Sequence, residues 1–116
     1  MQNVNQELLE FISRSPSVFH AVAAMRAALE SAGYQYLREA SAWEILPGGK
    51  YYSARNDSSI IAFHVGTDLT EYSFRIAASH SDAPVYKIKA VPELSGPDEY
   101  LRLNVEAYGG VIDASW

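Results

Sequence analysis

The first third of the chain carries apolar residues at helical spacing. Near the N-terminus, Val4, Leu8 and Ile12 fall on one face of a helix, and Asn3 or Asn5 can cap its start. This pattern predicts an amphipathic helix that ends before the first proline.

A second helix is predicted to begin at Ser15-Pro16, where the serine caps and the proline takes the first helical position. Four apolar residues then recur in steps of four, three and four, which is typical of a helix that faces a core. Gly33 follows as the stop, because glycine readily takes the left-handed conformation found after helix ends. The apolar stripe consists of Val18, Val22, Met25 and Leu29.

After Gly33 the pattern becomes extended, with turn signals at Pro47-Gly48-Gly49 and at Asn56-Asp57-Ser58. Both faces of residues 59–66 are mostly apolar, so we expect an interior strand that is covered on both sides. Two helices followed by a strand-rich region predict a layered α/β or α+β fold. The predicted strands are 34–37, 50–55, 59–66, 73–79, 85–91 and 100–108.

The length, net charge and lack of cysteine exclude or disfavour several classes of function. The chain has 116 residues, enough for one small core, and its net charge of -5 disfavours nucleic acid and anionic membrane surfaces as partners. It has no cysteine, which excludes disulfides, thiolate zinc sites and cysteine nucleophiles. The N-terminal residues have no basic segment, and the uncharged stretch 15–25 is too short to span a bilayer. We expect a soluble, cytoplasmic protein.

The residues with the clearest chemical potential are His80 and Asp82. Small residues at 77–79 lead up to them and Pro84 follows. In an extended segment, residues two apart share a face, so the two side chains should meet. An imidazole can bind a metal through one nitrogen while its other N–H donates to a carboxylate. Three histidines and five aspartates make this spacing common by chance, so an ordinary hydrogen-bonded histidine at a strand end is the alternative.

Six blocks of sequence follow one another along nearly the whole chain. In their order and spacing, the chain resembles the N-terminal part of the M18 zinc aminopeptidases, the aspartyl aminopeptidase family. Val18 and Ser81 depart from that pattern, where proline is frequent and threonine is usual. The blocks are Leu9-Glu10-Phe11-Ile12, Ser15-Pro16-Ser17-Val18-Phe19-His20-Ala21-Val22, Gly48-Gly49-Lys50-Tyr51-Tyr52, Ile60-Ile61-Ala62-Phe63, Ser79-His80-Ser81-Asp82, and Leu103-Asn104-Val105-Glu106 with Tyr108-Gly109-Gly110.

The resemblance implies a metal-dependent aminopeptidase that removes N-terminal residues, acidic ones in many members, from peptide substrates. Two zinc ions would activate a water, with His80 as a metal ligand and Asp82 as the catalytic carboxylate that orients it. Residues 1–83 would be the N-terminal part of the catalytic domain, a zinc-peptidase α/β/α sandwich. Residues 84–116 would begin an inserted β-rich dimerisation domain, so a homo-oligomer is implied.

The family's remaining ligands, bridging aspartate and general-base glutamate would lie beyond residue 116. With His80 as its one ligand, the chain would hold at most one partial zinc site, and we expect it to be inactive alone. His20 is expected to pack or hydrogen-bond within a helix, and His64 carries no partner pattern. Trp116 ends the sequence abruptly, which favours a fragment. The alternatives are a non-catalytic short product acting as a binding or assembly module, and an unrelated small domain with a chance motif.

Overall fold

The computed structural model of the chain describes residues 3–71 and 73–110. Two helices precede five strands in this part of the chain, and the chain divides into two compact units, residues 1–82 and 83–116. No helix among the described residues is long and apolar enough to cross a membrane. The elements are α1 (Val4–Ser13), α2 (Val18–Ser31), β1 (Gln35–Tyr36), β2 (Lys50–Arg55), β3 (Ser59–His64), β4 (Val85–Ser95) and β5 (Leu101–Tyr108).

The first helix forms as predicted. The side chain of Asn3 accepts a hydrogen bond from the backbone N–H of Asn5 at 3.2 Å, which supplies the N-terminal cap. No residue of α1 is buried, however, and Val4 on its apolar face is 75% exposed. Local periodicity therefore sets this helix, while its apolar face stays open in this unit.

The predicted start of α2 at Ser15-Pro16 is wrong by two residues. The hydroxyl of Ser15 donates to the carbonyl of Phe11 at 2.7 Å, so this serine closes the end of α1. Ser17 is the N-cap residue of α2, with extended backbone, and Pro16 lies before the cap. Ser15, which was predicted to cap α2, is therefore hydrogen-bonded to α1 instead.

The predicted end of α2 is confirmed. Gly33 has a φ of +82°, the left-handed conformation expected after a helix end. Its N–H donates to the carbonyl of Glu30, and the N–H of Tyr34 donates to the carbonyl of Leu29, both at 3.0 Å. These two bonds form a Schellman motif, which satisfies carbonyls that the helix itself leaves unpaired.

The core lies between α2 and a three-stranded sheet in the order β1-β2-β3. β1 runs parallel to β2, and β3 runs antiparallel to it, so the predicted mixed strands are confirmed. β2 is central and supplies the buried Tyr52 on the face toward α2 and the buried Tyr51 on the opposite face, while α2 supplies the buried Ala21 and Val22. The expectation that the stripe of α2 faces the core is therefore correct at Val22, which is fully buried.

The two tyrosines of β2 serve opposite faces of the sheet, as their adjacent positions require. The hydroxyl of Tyr52 donates to the carboxylate of Glu30 on α2, and its ring lies 5.3 Å from that of Tyr36. The ring of Tyr51 lies 5.6 Å from that of Phe63 on β3. Each face thus gains one aromatic contact from a neighbouring strand.

Two strand predictions fail. β3 pairs with β2 alone among the described residues, and Ile61 is 62% exposed, so it is not an interior strand here. Residues 73–79 form no strand, and Phe74 and Ile76 are 84% and 85% exposed. Alternating apolar residues give a segment two faces, but a strand also needs a backbone neighbour, and the described residues supply none to this segment.

The second unit is an antiparallel hairpin of β4 and β5. Its register shifts between Ile88 and Glu93, where the side-chain amide of Asn104 donates to the carbonyl of Val91 at 3.0 Å. β4 extends to Ser95, four residues beyond the end of the predicted strand 85–91. No described residue of either strand is buried, so backbone pairing provides most of the hairpin's internal order.

Candidate metal centre

The side chains of His80 and Asp82 meet in an irregular segment after β3. Nδ1 of His80 lies 3.0 Å from Oδ1 of Asp82 and 2.8 Å from the backbone carbonyl oxygen of the same residue. A carbonyl oxygen can only accept, so Nδ1 carries the proton and donates. In the neutral ring, Nε2 then holds the lone pair that a metal would bind.

The spacing argument is right about the contact and wrong about the backbone. It brought His80 and Asp82 together as alternate residues of an extended segment, whereas the structure has a bend at Ser81 in a segment without regular structure. The imidazole reaches the carbonyl of Asp82 as well as its carboxylate. Both acceptors favour the same tautomer.

Ser81, between these two residues, links the segment to the hairpin of the first unit. Its hydroxyl donates to the carbonyl of Ser58 at 3.1 Å. Ser58 ends the β2–β3 turn, in which Asn56 and Asp57 both have left-handed backbone, with φ of 52° and 50°. Asparagine and aspartate tolerate this conformation better than other side chains. The sequence predicted the turn but not the hydrogen bond.

The motif is open to solvent. The side chain of His80 is 79% exposed and that of Asp82 is 45% exposed. Within residues 3–71 and 73–110, Nε2 of His80 makes no hydrogen bond, and no three His, Asp or Glu side chains lie close enough together to hold a metal ion. A catalytic zinc needs about three protein ligands. The described residues therefore fit one ligand of such a site and do not form a complete one.

The other two histidines lie elsewhere. Nδ1 of His20 is 2.7 Å from the hydroxyl of Ser17 at the start of α2, which agrees with the expected hydrogen-bonding role. His64 ends β3, opposite Lys50 in the antiparallel register, and is exposed. Neither joins a three-ligand group among the described residues.

Sequence reasoning missed a polar cluster on the inner side of α2. Burial, together with the hydrogen bond to Glu30, raises the pKa of the Tyr52 hydroxyl. A hydrogen bond with Tyr52 in turn raises the pKa of the Arg26 guanidinium, which also pairs with Asp57 at 3.2 Å. Arg26 and Glu30 lie one helical turn apart, which is the only sequence signal of this cluster. The cluster joins α2 to the same turn that receives Ser81.

Comparison with known proteins decides the family. A sequence model described as aminopeptidase I zinc metalloprotease (M18) matches residues 11–116. The chain belongs to the M18 family. This confirms the resemblance drawn from the ordered blocks and places the chain among relatives named as aminopeptidases, a class of hydrolases.

Two M18 relatives show the extent of the match. The probable M18 family aminopeptidase 2 of Clostridium novyi is 43% identical over 111 residues, which cover 95% of this chain and 26% of the relative. The protein of the same name from Pseudomonas aeruginosa strain PAO1 is 43% identical over 114 residues, covering 97% of this chain and 26% of the relative. The chain thus spans about a quarter of the length of these relatives.

Solved structures show the same fold. A chain in the cryo-EM structure of the Ape4 and Nbr1 complex matches with a TM-score of 0.86 and 39% identity, over 96% of this chain and 22% of its own length. Chaetomium thermophilum mApe1 matches with a TM-score of 0.79 and 34% identity, over 96% and 26%. The S. cerevisiae mApe1 dodecamer matches with a TM-score of 0.77 and 30% identity, over 98% and 27%.

Proposed function

We propose that this M18 chain is the N-terminal part of a two-zinc aminopeptidase that removes N-terminal residues, acidic ones among them, from peptides. The observation that carries the proposal is the hydrogen bond from Nδ1 of His80 to Asp82, which leaves Nε2 facing solvent. Zinc, when bound, lowers the pKa of a water molecule and polarises the scissile carbonyl.

In this proposal each residue of the motif has a separate task. The carboxylate of Asp82 accepts a hydrogen bond from Nδ1–H of His80, which fixes the tautomer and makes Nε2 a more basic metal ligand. Its carboxylate thus orients the ring without touching the metal. His80 supplies one ligand, and the remaining ligands, the bridging aspartate and the general-base glutamate would come from chain beyond this one, which spans 26% of its relative.

The same proposal covers the domain assignment and assembly. Residues 1–83 would be the first part of an α/β/α catalytic sandwich, and residues 84–116 the start of a dimerisation domain in a cytoplasmic homo-oligomer. The break between the two compact units falls after Asp82, which is compatible with this division. The S. cerevisiae structure is described as a dodecamer, which supports assembly of the whole protein.

A chimera tests the role of His80. The matching N-terminal segment of the C. novyi relative is replaced with this chain, and bound zinc and release of N-terminal aspartate and leucine from peptides are measured. We expect an active chimera that loses zinc and activity on His80→Ala. Asp82→Ala should lower the zinc affinity or the activity about tenfold to a hundredfold. The matched control His64→Ala should change neither, and full activity of His80→Ala would contradict the proposal.

A second candidate is a non-catalytic short product that acts as an assembly module. The exposed apolar side chains of the hairpin favour it, since Ile88, Leu101 and Leu103 are 61%, 66% and 60% exposed. The intact mass of the protein in its native cells decides between the two. A species at 12.8 kDa favours the module, and one several times heavier favours the aminopeptidase.

A further inference from the structure

The motif His80-Ser81-Asp82 is held in an unusual way. His80 and Asp82 are exposed, so packing does not fix their side chains, whereas Ser81 between them is half-buried. No backbone hydrogen bond joins residues 73–80 to another element among the described residues. The path of the chain through the motif must therefore depend on other contacts.

The contact made by Ser81 is well placed to supply this support. Its hydroxyl donates at 3.1 Å to the carbonyl of Ser58, which is 23 residues earlier in sequence. That carbonyl belongs to a turn with its own restraints: the N–H of Ser58 donates to the carbonyl of Arg55 at 3.1 Å, and Asp57 pairs with Arg26 on α2 at 3.2 Å. The acceptor is thus fixed from two sides.

We propose that Ser81 is a positioning residue, whose hydrogen bond to the Ser58 carbonyl holds the backbone so that Nδ1 of His80 stays on Asp82 and Nε2 faces outward. The proposal rests on the proposed function, because it concerns His80 as a metal ligand. The hydroxyl acts through the backbone of its two neighbours and touches neither substrate nor metal. Threonine can make the same bond and alanine cannot.

The tautomer of His80 measures this effect directly and needs no metal. In the ¹⁵N-labelled chain, at a pH where the imidazole is neutral, long-range ¹H–¹⁵N correlation gives the ratio of the Nδ1–H to the Nε2–H form. We expect the Nδ1–H form to dominate in the wild type. Ser81→Ala should move the ratio about threefold to tenfold toward Nε2–H, the scale of one hydrogen bond.

Three variants separate positioning from general loss of structure. Ser81→Thr should keep the wild-type ratio, and Ser81→Val, which has the shape of threonine without the hydroxyl, should behave like Ser81→Ala. Ser79→Ala, two residues earlier, should leave the ratio unchanged. The tautomer of His20, which contacts Ser17 on α2, reports the integrity of the first unit and should be the same in every variant.

An unchanged ratio in Ser81→Ala, or equal shifts in the alanine and threonine variants, would overturn the proposal. The proposed function is judged by a different result, the zinc content and activity of the His80→Ala chimera. A chimera indifferent to His80→Ala, combined with a tautomer shift in Ser81→Ala, refutes the metal-ligand role and retains the positioning. The reverse combination retains the metal ligand and refutes the positioning.

Discussion

Gly49 has no room for a side chain, because a Cβ there would overlap the ring of Tyr51 two residues later. The ring folds back over the glycine so that its hydroxyl accepts a hydrogen bond from the N–H of Leu46 at 3.1 Å. The same turn is tied to the end of β3, since the N–H of Val65 donates to the carbonyl of Gly49 at 2.9 Å. Position 49 therefore requires glycine because the Tyr51 ring occupies the space for a side chain, and not because of the backbone conformation there.

Gly49→Ala should therefore lower the free energy of unfolding of the first unit by about 1 to 3 kcal/mol, the usual cost of forcing an extra group into a packed site. The matched control is Gly66→Ala, whose Cβ would lie 3.4 Å from the carbonyl oxygen of Asp68. Urea unfolding followed by circular dichroism measures both, and equal stability of the two variants would refute this account of Gly49.

The raised pKa of the Tyr52 hydroxyl predicts a loss of stability at high pH. Burial and the hydrogen bond to Glu30 raise the pKa of its hydroxyl above the ordinary value of 10.0. Above that value the unfolded chain releases the tyrosine proton before the folded chain does. The contribution of Tyr52 to the free energy of unfolding is therefore constant below about pH 10 and falls as the pH rises toward the folded pKa.

Urea unfolding at neutral pH and above pH 10 tests this. Tyr52→Phe should remove part of the decline at high pH, and at neutral pH it should cost about 1 to 2 kcal/mol because Glu30 loses its hydrogen-bond donor. Tyr36→Phe is the control, since the partly exposed Tyr36 makes no side-chain hydrogen bond among the described residues and should keep the decline. A decline of the same size in Tyr52→Phe would contradict the assignment to Tyr52.

Among the elements, the end of α2 is the one whose conformation follows most directly from its sequence. Gly33 has a φ of +82°, and a Cβ there would meet nothing within 4 Å, so a substitution is opposed by the backbone alone. Gly33→Ala should lower the free energy of unfolding by about 1 kcal/mol, and Gly33→Asn by less, because asparagine tolerates left-handed backbone. Thermal unfolding of the two variants beside the wild type measures the difference, and equal losses would count against the explanation.

Elements set by local residues could be predicted, and those set by distant partners could not. The end of helix α2 and the turn at Asn56-Asp57-Ser58 follow from side chains within a few residues, and both form as expected. Residues 73–79 have the alternation of a strand, yet their state depends on a neighbouring backbone that no local pattern reveals. The same reason explains why β3 has an open edge instead of a partner on each side.

The same distinction between local and distant contacts applies to the candidate site. The spacing of His80 and Asp82 was enough to predict that they meet, because only one residue separates them. The hydrogen bond from Ser81 to Ser58 crosses 23 residues, and the contact of Tyr52 with Glu30 crosses 22, so neither could be read from sequence. A sequence motif can thus identify the reactive groups, whereas the contacts that hold them in place depend on the tertiary structure.

At the scale of the molecule, all the buried residues among those that the structure describes lie in the first unit. The residues of the first unit that are buried lie on α2 and β2, and no described residue of the second unit is buried. A two-stranded hairpin without a covered face has marginal stability in water. The two units should therefore differ in how long their backbone amides resist solvent.

Hydrogen–deuterium exchange followed by NMR tests this difference. The amides of Tyr51, Tyr52 and Ser53 should exchange slowest, since they lie in the central strand and are buried. Amides of β4 and β5 should exchange within the shortest labelling times, despite their pairing. Protection of Val105 equal to that of Tyr52 would show that the hairpin gains stability from contacts beyond its own pairing.

The base of the hairpin has a consequence for how this part of the molecule can vary. A Cβ on Gly109, whose φ is +92°, would lie 3.2 Å from Cα of Pro84, so the chain enters and leaves the hairpin at almost the same point. A segment whose ends meet can be lengthened, shortened or exchanged without moving what precedes or follows it. The residues between Pro84 and Gly109 thus form a cassette, a segment that can be exchanged as a unit. Natural variation or deliberate grafting can change the tip of the hairpin while the contact between Pro84 and Gly109 is kept.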